Sequence, residues 1–239
     1  MSTRHDSGIV LRSYPFGEAD RVIVLLSPDH GKLRTVAKGV RKTKSRFGGR
    51  LEPFTHVELV LYEGRNLDTI TAVEVVANYR HLREDLDRVT AASTMVEAVD
   101  AVAQEKEQSR ALFGLLVSGL SALDAGPRST DFVSAFLLQL AGVVGVAPSL
   151  DACAMCGRSE DLDRFSFAGG GAVCGRCRSE GSVKLREGLT AHLLGLAGGR
   201  LADIAVDDSE LSGDAMWVTR KFVEYHLDRR LASLAVLDA

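Results

Sequence analysis

Apolar and polar residues alternate over the first seventy-odd positions and then recur every three to four positions, so the chain changes from strand to helix partway along. In the first region Gly8–Arg12, Arg21–Leu26, Lys32–Ala37, Val57–Tyr62 and Leu67–Val76 read as five short strands. Asp29-His30-Gly31 and Glu63-Gly64-Arg65-Asn66 are turn signals between neighbouring runs. Five short strands with no long helix among them predict a small closed β-barrel, which leaves no long unpaired edge.

The pattern shifts near Tyr79. Leu86, Val89, Met95, Val96, Val99 and Val102 recur at helical spacing, and Leu112, Leu115, Leu116, Leu120 and Leu123 line a second helix over Ser109–Leu123. Gly126-Pro127 breaks it, and Ser129-Thr130-Asp131 supplies N-cap chemistry for a third helix ending near Gly145. The most apolar stretch, Phe132–Pro148, is too short for a bilayer and contains Gln139, so it reads as a buried helix. A short helix near Leu189–Leu196 follows, then a long one from about Asp214 to Leu234 carrying Trp217, Phe222, Tyr225, Leu227 and Leu231. The expected fold class is α+β. Residues 1–79 form the barrel, 80–149 and 181–239 two parts of a helical domain, and 150–180 an insert between them.

Charge sharpens this picture. The net charge of −3 hides a strong asymmetry. Residues 1–50 hold eleven Lys/Arg against four Asp/Glu, a balance of +7, whereas residues 51–150 hold seven against fourteen, a balance of −7. Such segregation points to one basic surface on an acidic body. The first residues lack the apolar core of a secretory signal, so a cytoplasmic location is expected.

In a reducing compartment four cysteines favour metal over disulfides. Cys153-x2-Cys156 and Cys174-x2-Cys177 are separated by seventeen residues, long enough for a hairpin over Leu162–Val173. Two such knuckles supply the four thiolates that tetrahedral zinc takes, and four thiolates close the shell, so one structural Zn2+ is expected. Gly157 and Gly175 suit the knuckle turns. Two redox dithiols, or four unrelated buried thiols, are the blander readings.

The densest cationic run is Lys38-Gly39-Val40-Arg41-Lys42-Thr43-Lys44-Ser45-Arg46-Phe47-Gly48-Gly49-Arg50, with six cationic side chains and no acidic one. Phosphate is the natural partner, because each contact releases counterions. Lys32 and Arg34 extend the cationic face, and Phe47, among polar and glycine neighbours, is placed to stack on a base. Tyr14, Phe16, Phe54 and Tyr62 are read as barrel core rather than stacking surface. The blander reading is a loop kept charged for solubility.

No catalytic pattern is found: no phosphate-cradling Gly-x4-Gly-Lys, no Gly-x-Gly-x-x-Gly after a strand, no His-Glu-x-x-His and no Gly-x-Ser-x-Gly. The six histidines are scattered, and the pairs Glu84-Asp85 and Asp207-Asp208 read as solvated. A non-enzymatic role is expected.

Taken together, Gly8-Ile9-Val10-Leu11, Glu18-Ala19-Asp20-Arg21, Ala37-Lys38-Gly39-Val40-Arg41-Lys42 and Ser45-Arg46-Phe47-Gly48-Gly49-Arg50-Leu51-Glu52-Pro53-Phe54 resemble the RecO family of bacterial recombination mediators. The order of parts matches over nearly the whole length. The resemblance implies an N-terminal oligonucleotide-binding (OB) fold, binding of single- and double-stranded DNA, and annealing of complementary strands in the nucleoid. It implies RecR and the acidic tail of the single-stranded-DNA-binding protein SSB as partners, in loading RecA. Its basic barrel surface maps to Lys38, Arg41, Lys42, Lys44 and Arg46, with Lys32, Arg34 and Arg50 beside them. The zinc ligands of its metal-binding members map to Cys153, Cys156, Cys174 and Cys177. Arg110 and Arg128 are candidates for the rim of a groove that takes the SSB tail. A ribosome-associated or RNA-binding OB/zinc protein is the alternative reading of the same features, followed by a metal-dependent nuclease and a scaffold for an acidic protein.

Overall fold

The structure, a computed structural model, describes residues 2–126, 129–204, 210–227 and 230–233. Two compact units emerge. The first comprises Met1–Ala92 and Val102–Asp124, the second Ser93–Ala101 and Ala125–Ala239.

The first unit is built on strands β1 (Thr3–Phe16), β2 (Asp20–Ser27), β3 (Gly31–Ala37), β4 (His56–Tyr62) and β5 (Asp68–Ala77). They close in the order β1-β2-β3-β5-β4, with a short parallel pairing of Thr35 to Asp68 and Val36 to Thr69 sealing the barrel. β1 is far longer than the Gly8–Arg12 expected. Its first half pairs with β4 and its second half with β2, and the register shifts between Val10 and Arg12. A bulge of this kind bends a strand enough to turn a barrel corner. The polar half, Thr3 to Ser7, pairs along its backbone, which leaves no trace in the hydrophobic pattern. Val10, Ile23, Leu25, Val57, Leu59, Leu61 and Ile70 fill the interior. At the β4–β5 turn a Cβ on Gly64 would lie 1.9 Å from the Leu67 carbonyl oxygen, so only glycine fits.

Helices α1 (Arg80–Arg83), α2 (Leu86–Val102) and α3 (Arg110–Ala125) follow. By compactness α3 groups with the barrel rather than with the later helices. The connector between α2 and α3 runs against the β2–β3 hairpin: the Lys32 amide donates to the Gln104 carbonyl at 2.9 Å. A Cβ on Gly31 would meet the Glu107 carbonyl oxygen at 2.2 Å. Arg88 Nη1 donates to the Leu123 and Asp124 carbonyls at 2.8 and 2.7 Å, satisfying groups that the end of a helix leaves open. Leu86, expected on the apolar face of α2, is 79% exposed at its first position.

The second unit centres on α4 (Asp131–Val143), with α5 (Leu189–Gly198) and α6 (Ser212–Leu227) packed on it. α4 is buried nearly all round, as a helix apolar on every side must be. Its polar Gln139 is used: Nε2 donates to the Leu196 and Gly199 carbonyls at the end of α5. α6 is described over Ser212–Leu227, and residues 230–233 lie outside any helix, where a helix running to about Leu234 was expected. The Glu97 carboxylate accepts the Ala232 and Ser233 amides, both at 2.8 Å, an arrangement outside any helix. Leu234, Arg128 and Asp207-Asp208 lie outside the described residues. The insert between α4 and α5 carries β6 (Arg164–Ser166), β7 (Gly171–Val173) and β8 (Val183–Lys184) in the order β7-β6-β8.

Candidate nucleic-acid interface and metal centre

The cationic run leaves β3 as a series of tight turns. Lys42 N donates to the Gly39 carbonyl and Ser45 N to the Lys42 carbonyl, and Gly39 takes φ +69. Two bonds tie the loop to the tip of the β1–β2 hairpin: Arg41 N to the Ala19 carbonyl at 3.0 Å, and Gly39 N to Asp20 Oδ1 at 2.7 Å. At its far end Phe47 enters the barrel core, followed by a 3-10 turn over Gly48–Leu51. Anchored at both ends, the loop holds Lys38, Arg41, Lys42, Lys44, Arg46 and Arg50 with all six side chains exposed. Like charges at this density raise a positive potential that favours a polyanion. Arg34 is exposed on β3 and donates from Nη2 to the Tyr14 hydroxyl at 2.9 Å, a bond that pushes its pKa further up. Lys32 is half-buried on the same strand.

The aromatic assignment is reversed for Phe47, Phe16 and Tyr62. Phe47, expected to stack on a base, is 1% exposed and plugs the barrel with Leu51. Polar and glycine neighbours suggested an open position, but closure of the barrel buries it. Phe16 and Tyr62, expected in the core, are 49% and 40% exposed. Phe54 is buried as expected, although at φ +73. Arg110, a candidate groove residue, reaches Asp29 Oδ1 from both Nε and Nη2, at 3.0 and 2.8 Å, with its side chain exposed. That contact, with a second from Gln108, lowers the Asp29 pKa.

In the second unit Cys153, Cys156, Cys174 and Cys177 converge, with all four Sγ atoms within 4.8 Å of one another and Cys156 to Cys174 at 3.9 Å. Ligands about 2.3 Å from a tetrahedral zinc lie roughly 3.8 Å apart, so the donors fit one ion with little movement. The local fold explains the convergence. Gly157 at φ +73 turns the first knuckle, with its amide on the Cys153 carbonyl at 2.8 Å. The second knuckle is the 3-10 turn Gly175–Cys177. Between them the β6–β7 hairpin brings Cys174 N to 3.4 Å from Cys153 Sγ. A Cβ on Gly171 would sit 2.3 Å from the Ser149 carbonyl oxygen, so glycine is required where this hairpin meets the preceding chain.

Thiol acidities diverge within the cluster. The Cys174 amide, helped by the Met155 and Cys156 amides, pulls Cys153 down to about 6. Hydrogen bonds with Cys156 and Cys174, followed by desolvation, push Cys177 up to about 12. Four sulfurs this close resist ionising together, and a dication at their centre removes the conflict. An aromatic chain fixes the insert to α6: Phe165 lies edge-on to Phe222 at 5.8 Å, and Phe167 to Trp217 at 5.9 Å.

A closed five-stranded barrel with a polycationic loop, together with a helical unit bearing a four-cysteine cluster that could hold a metal ion, defines an OB-type protein with the surface of a polyanion binder. The comparisons with known proteins agree. The family model for the N-terminal part of recombination protein O matches residues 1–79, and that for its C-terminal part matches residues 83–235. The chain is 43% identical over 239 residues to the DNA repair protein RecO of Nocardioides sp., covering 98% of each. It is 39% identical over 241 residues to DNA repair protein RecO of Frankia casuarinae, covering 100% of this chain and 99% of the relative. The same protein of Thermobifida fusca is 39% identical over 245 residues, with the same coverage. The chain belongs to the recombination protein O family.

Proposed function

We propose that this protein is a DNA repair and recombination mediator that binds single- and double-stranded DNA, anneals complementary strands, and helps load RecA onto SSB-coated DNA together with RecR. The observation that carries the DNA part is the anchored loop with six exposed cations. Cations held on a closed barrel screen the repulsion between two phosphate backbones, and base pairing then drives annealing. Lys38, Arg41, Lys42, Lys44, Arg46 and Arg50 are the proposed phosphate contacts, with Lys32 and Arg34 extending them along β3. No covalent chemistry is needed, and the role is non-enzymatic. The four cysteines hold one structural Zn2+ that stabilises the insert. The partners are inferred from family membership alone, as is a bacterial cytoplasmic, nucleoid-associated location; among the described residues no helix is long and apolar enough to cross a membrane.

The test mixes two complementary labelled strands with the purified protein, without nucleotide, across a salt series. The expected result is accelerated annealing that fades steeply with salt. No acceleration at low salt by folded, metal-loaded protein would remove annealing from the account. Tighter binding to single-stranded RNA than to DNA of the same sequence would favour the RNA reading.

A further inference from the structure

We infer that Phe16 is a base-stacking residue that selects single-stranded over double-stranded DNA, an inference that rests on the cationic loop being the DNA interface. β1 and β2 pair without irregularity from Arg12 to Phe16, so Arg12, Tyr14 and Phe16 lie on one face of the strand. Arg12 and Phe16 are exposed there, Tyr14 partly so. Arg12 stands over the Tyr14 ring at 5.7 Å, and the Tyr14 hydroxyl takes the Arg34 guanidinium. Tyr14 is thereby held in place between two cations, while Phe16, with no polar atom, keeps half its surface in water at the end of the row.

Position makes this exposure more than a surface accident. The register partner of Phe16 is Asp20, and Asp20 Oδ1 accepts the Gly39 amide at the start of the cationic loop. Arg41 N reaches Ala19 in the same hairpin tip. Asp20 on β2 therefore stands between Phe16 and the loop, which puts the backbone that carries Lys38, Arg41 and Lys42 two strand spacings, roughly 10 Å, from Phe16. A phosphate backbone tracked by those cations passes within reach of Phe16, and a base turned from it gains a π-face. Tyr14 and Phe16, two residues apart on a strand, are spaced by about 6.6 Å. That is roughly twice the 3.4 Å base spacing along one strand of a duplex. Bases resting on both rings are unstacked from each other, which a single strand allows and a duplex forbids. Phosphate contacts serve both forms of DNA, and stacking serves one.

The experiment measures the affinity of full-length protein for a labelled oligo-dT and for a duplex of equal length, each over a salt series. Phe16→Ala is expected to weaken oligo-dT binding about five- to hundredfold, the range for removal of one base stack, with the salt slope and duplex affinity unchanged. Phe16→Leu, which keeps apolar area without a π-face, is expected to behave like Phe16→Ala, and Phe16→Tyr to retain binding. Phe16→Trp in a Trp217→Phe background supplies a direct readout, a fluorescence quench on adding oligo-dT. Wild-type oligo-dT affinity in Phe16→Ala overturns the inference, as does an equal weakening on both DNAs. Failure of the underlying interface has a different signature: Lys38→Ala/Arg41→Ala/Lys42→Ala/Lys44→Ala would then bind both DNAs as wild type does.

Discussion

The guanidinium of Arg46 lies over the ring of Phe47, 4.8 Å from its centroid, so that adjacent residues place a cation in water and an aromatic in the barrel core. The buried ring fixes where the exposed charge stands. This pairing converts a flexible run of lysines and arginines into a surface with a defined geometry.

Truncating that anchor tests its role. Phe47→Ala is expected to destabilise the barrel by about 3–5 kcal/mol, the usual cost of emptying a buried Phe site. Phe47→Leu retains most of the apolar plug and is expected to bind DNA nearly as tightly as wild type. Denaturant melts and fluorescence anisotropy check both variants. A Phe47→Leu protein of normal stability with weakened DNA affinity would return the ring to the interface.

Neutralising the loop has a different signature. Replacing Lys38, Arg41, Lys42 and Lys44 with Ala leaves the core untouched, so the melting curve should hold. DNA affinity is expected to fall, and the salt slope on a single strand to flatten by about 0.7 for each phosphate that is no longer neutralised. Anisotropy titrations at several salt concentrations read both quantities.

Metal removal can be followed through the only tryptophan in the chain. Trp217 meets Phe167 beside the β6–β7 hairpin that positions Cys174. Chelation, or Cys174→Ser, is expected to release the insert and shift Trp217 emission to the red, with zinc content falling from one per chain. Emission unchanged in a demonstrably metal-free sample would mean that the hairpin holds without the ion.

Arg83 pins an awkward stretch of backbone. Its Nη2 donates to the Pro53 carbonyl at 2.7 Å and to Thr55 Oγ1 at 2.9 Å, on either side of Phe54 at φ +73. Desolvation lowers its pKa. Arg83→Ala is expected to cost about 1–3 kcal/mol by leaving these acceptors unmatched. Arg83→Lys should recover little, since an ammonium cannot reproduce the planar fork. Chemical denaturation measures both.

Burial lowers the pKa of His56, against a smaller opposing pull from Glu58. The ring stacks edge-on against Phe113 at 5.4 Å and shares a hydrogen bond with Ser7. With the folded pKa below the unfolded one, the unfolded chain binds the extra proton first. The stabilising contribution is complete above the unfolded value of about 6.5 and is lost as pH falls towards the folded pKa. Stability measured between neutral and mildly acidic pH should decline, and His56→Gln should flatten the decline. An identical slope in the variant would assign it elsewhere.

Much of this molecule was legible from local order. Five apolar runs, their turns, the cationic loop and the two cysteine knuckles each depend on residues close in sequence. The barrel, the helices and the thiolate cluster follow from period and spacing. What escaped was whatever depends on distant partners. Thr3 to Ser7 form a strand because β4 runs alongside, not because of their own pattern. Residues 230–233 leave the helical path of α6 because Glu97, far back in the chain, collects the amides of Ala232 and Ser233. α3 groups with the barrel, and Arg110 at its start pairs with Asp29 at the β2–β3 turn.

The clearest division runs between two phenylalanines. Sequence context marked Phe47 as open, for its polar and glycine neighbours, and Phe16 as core, for its place in a strand. Only closure of the barrel decides which ring loses its water, and it buries Phe47 while leaving Phe16 half exposed at the end of β1. The type and order of the elements are set by short-range periodicity, which the amino-acid sequence carries by itself. Burial is a sum over the neighbours that every strand brings to the site, and only the tertiary structure supplies that sum.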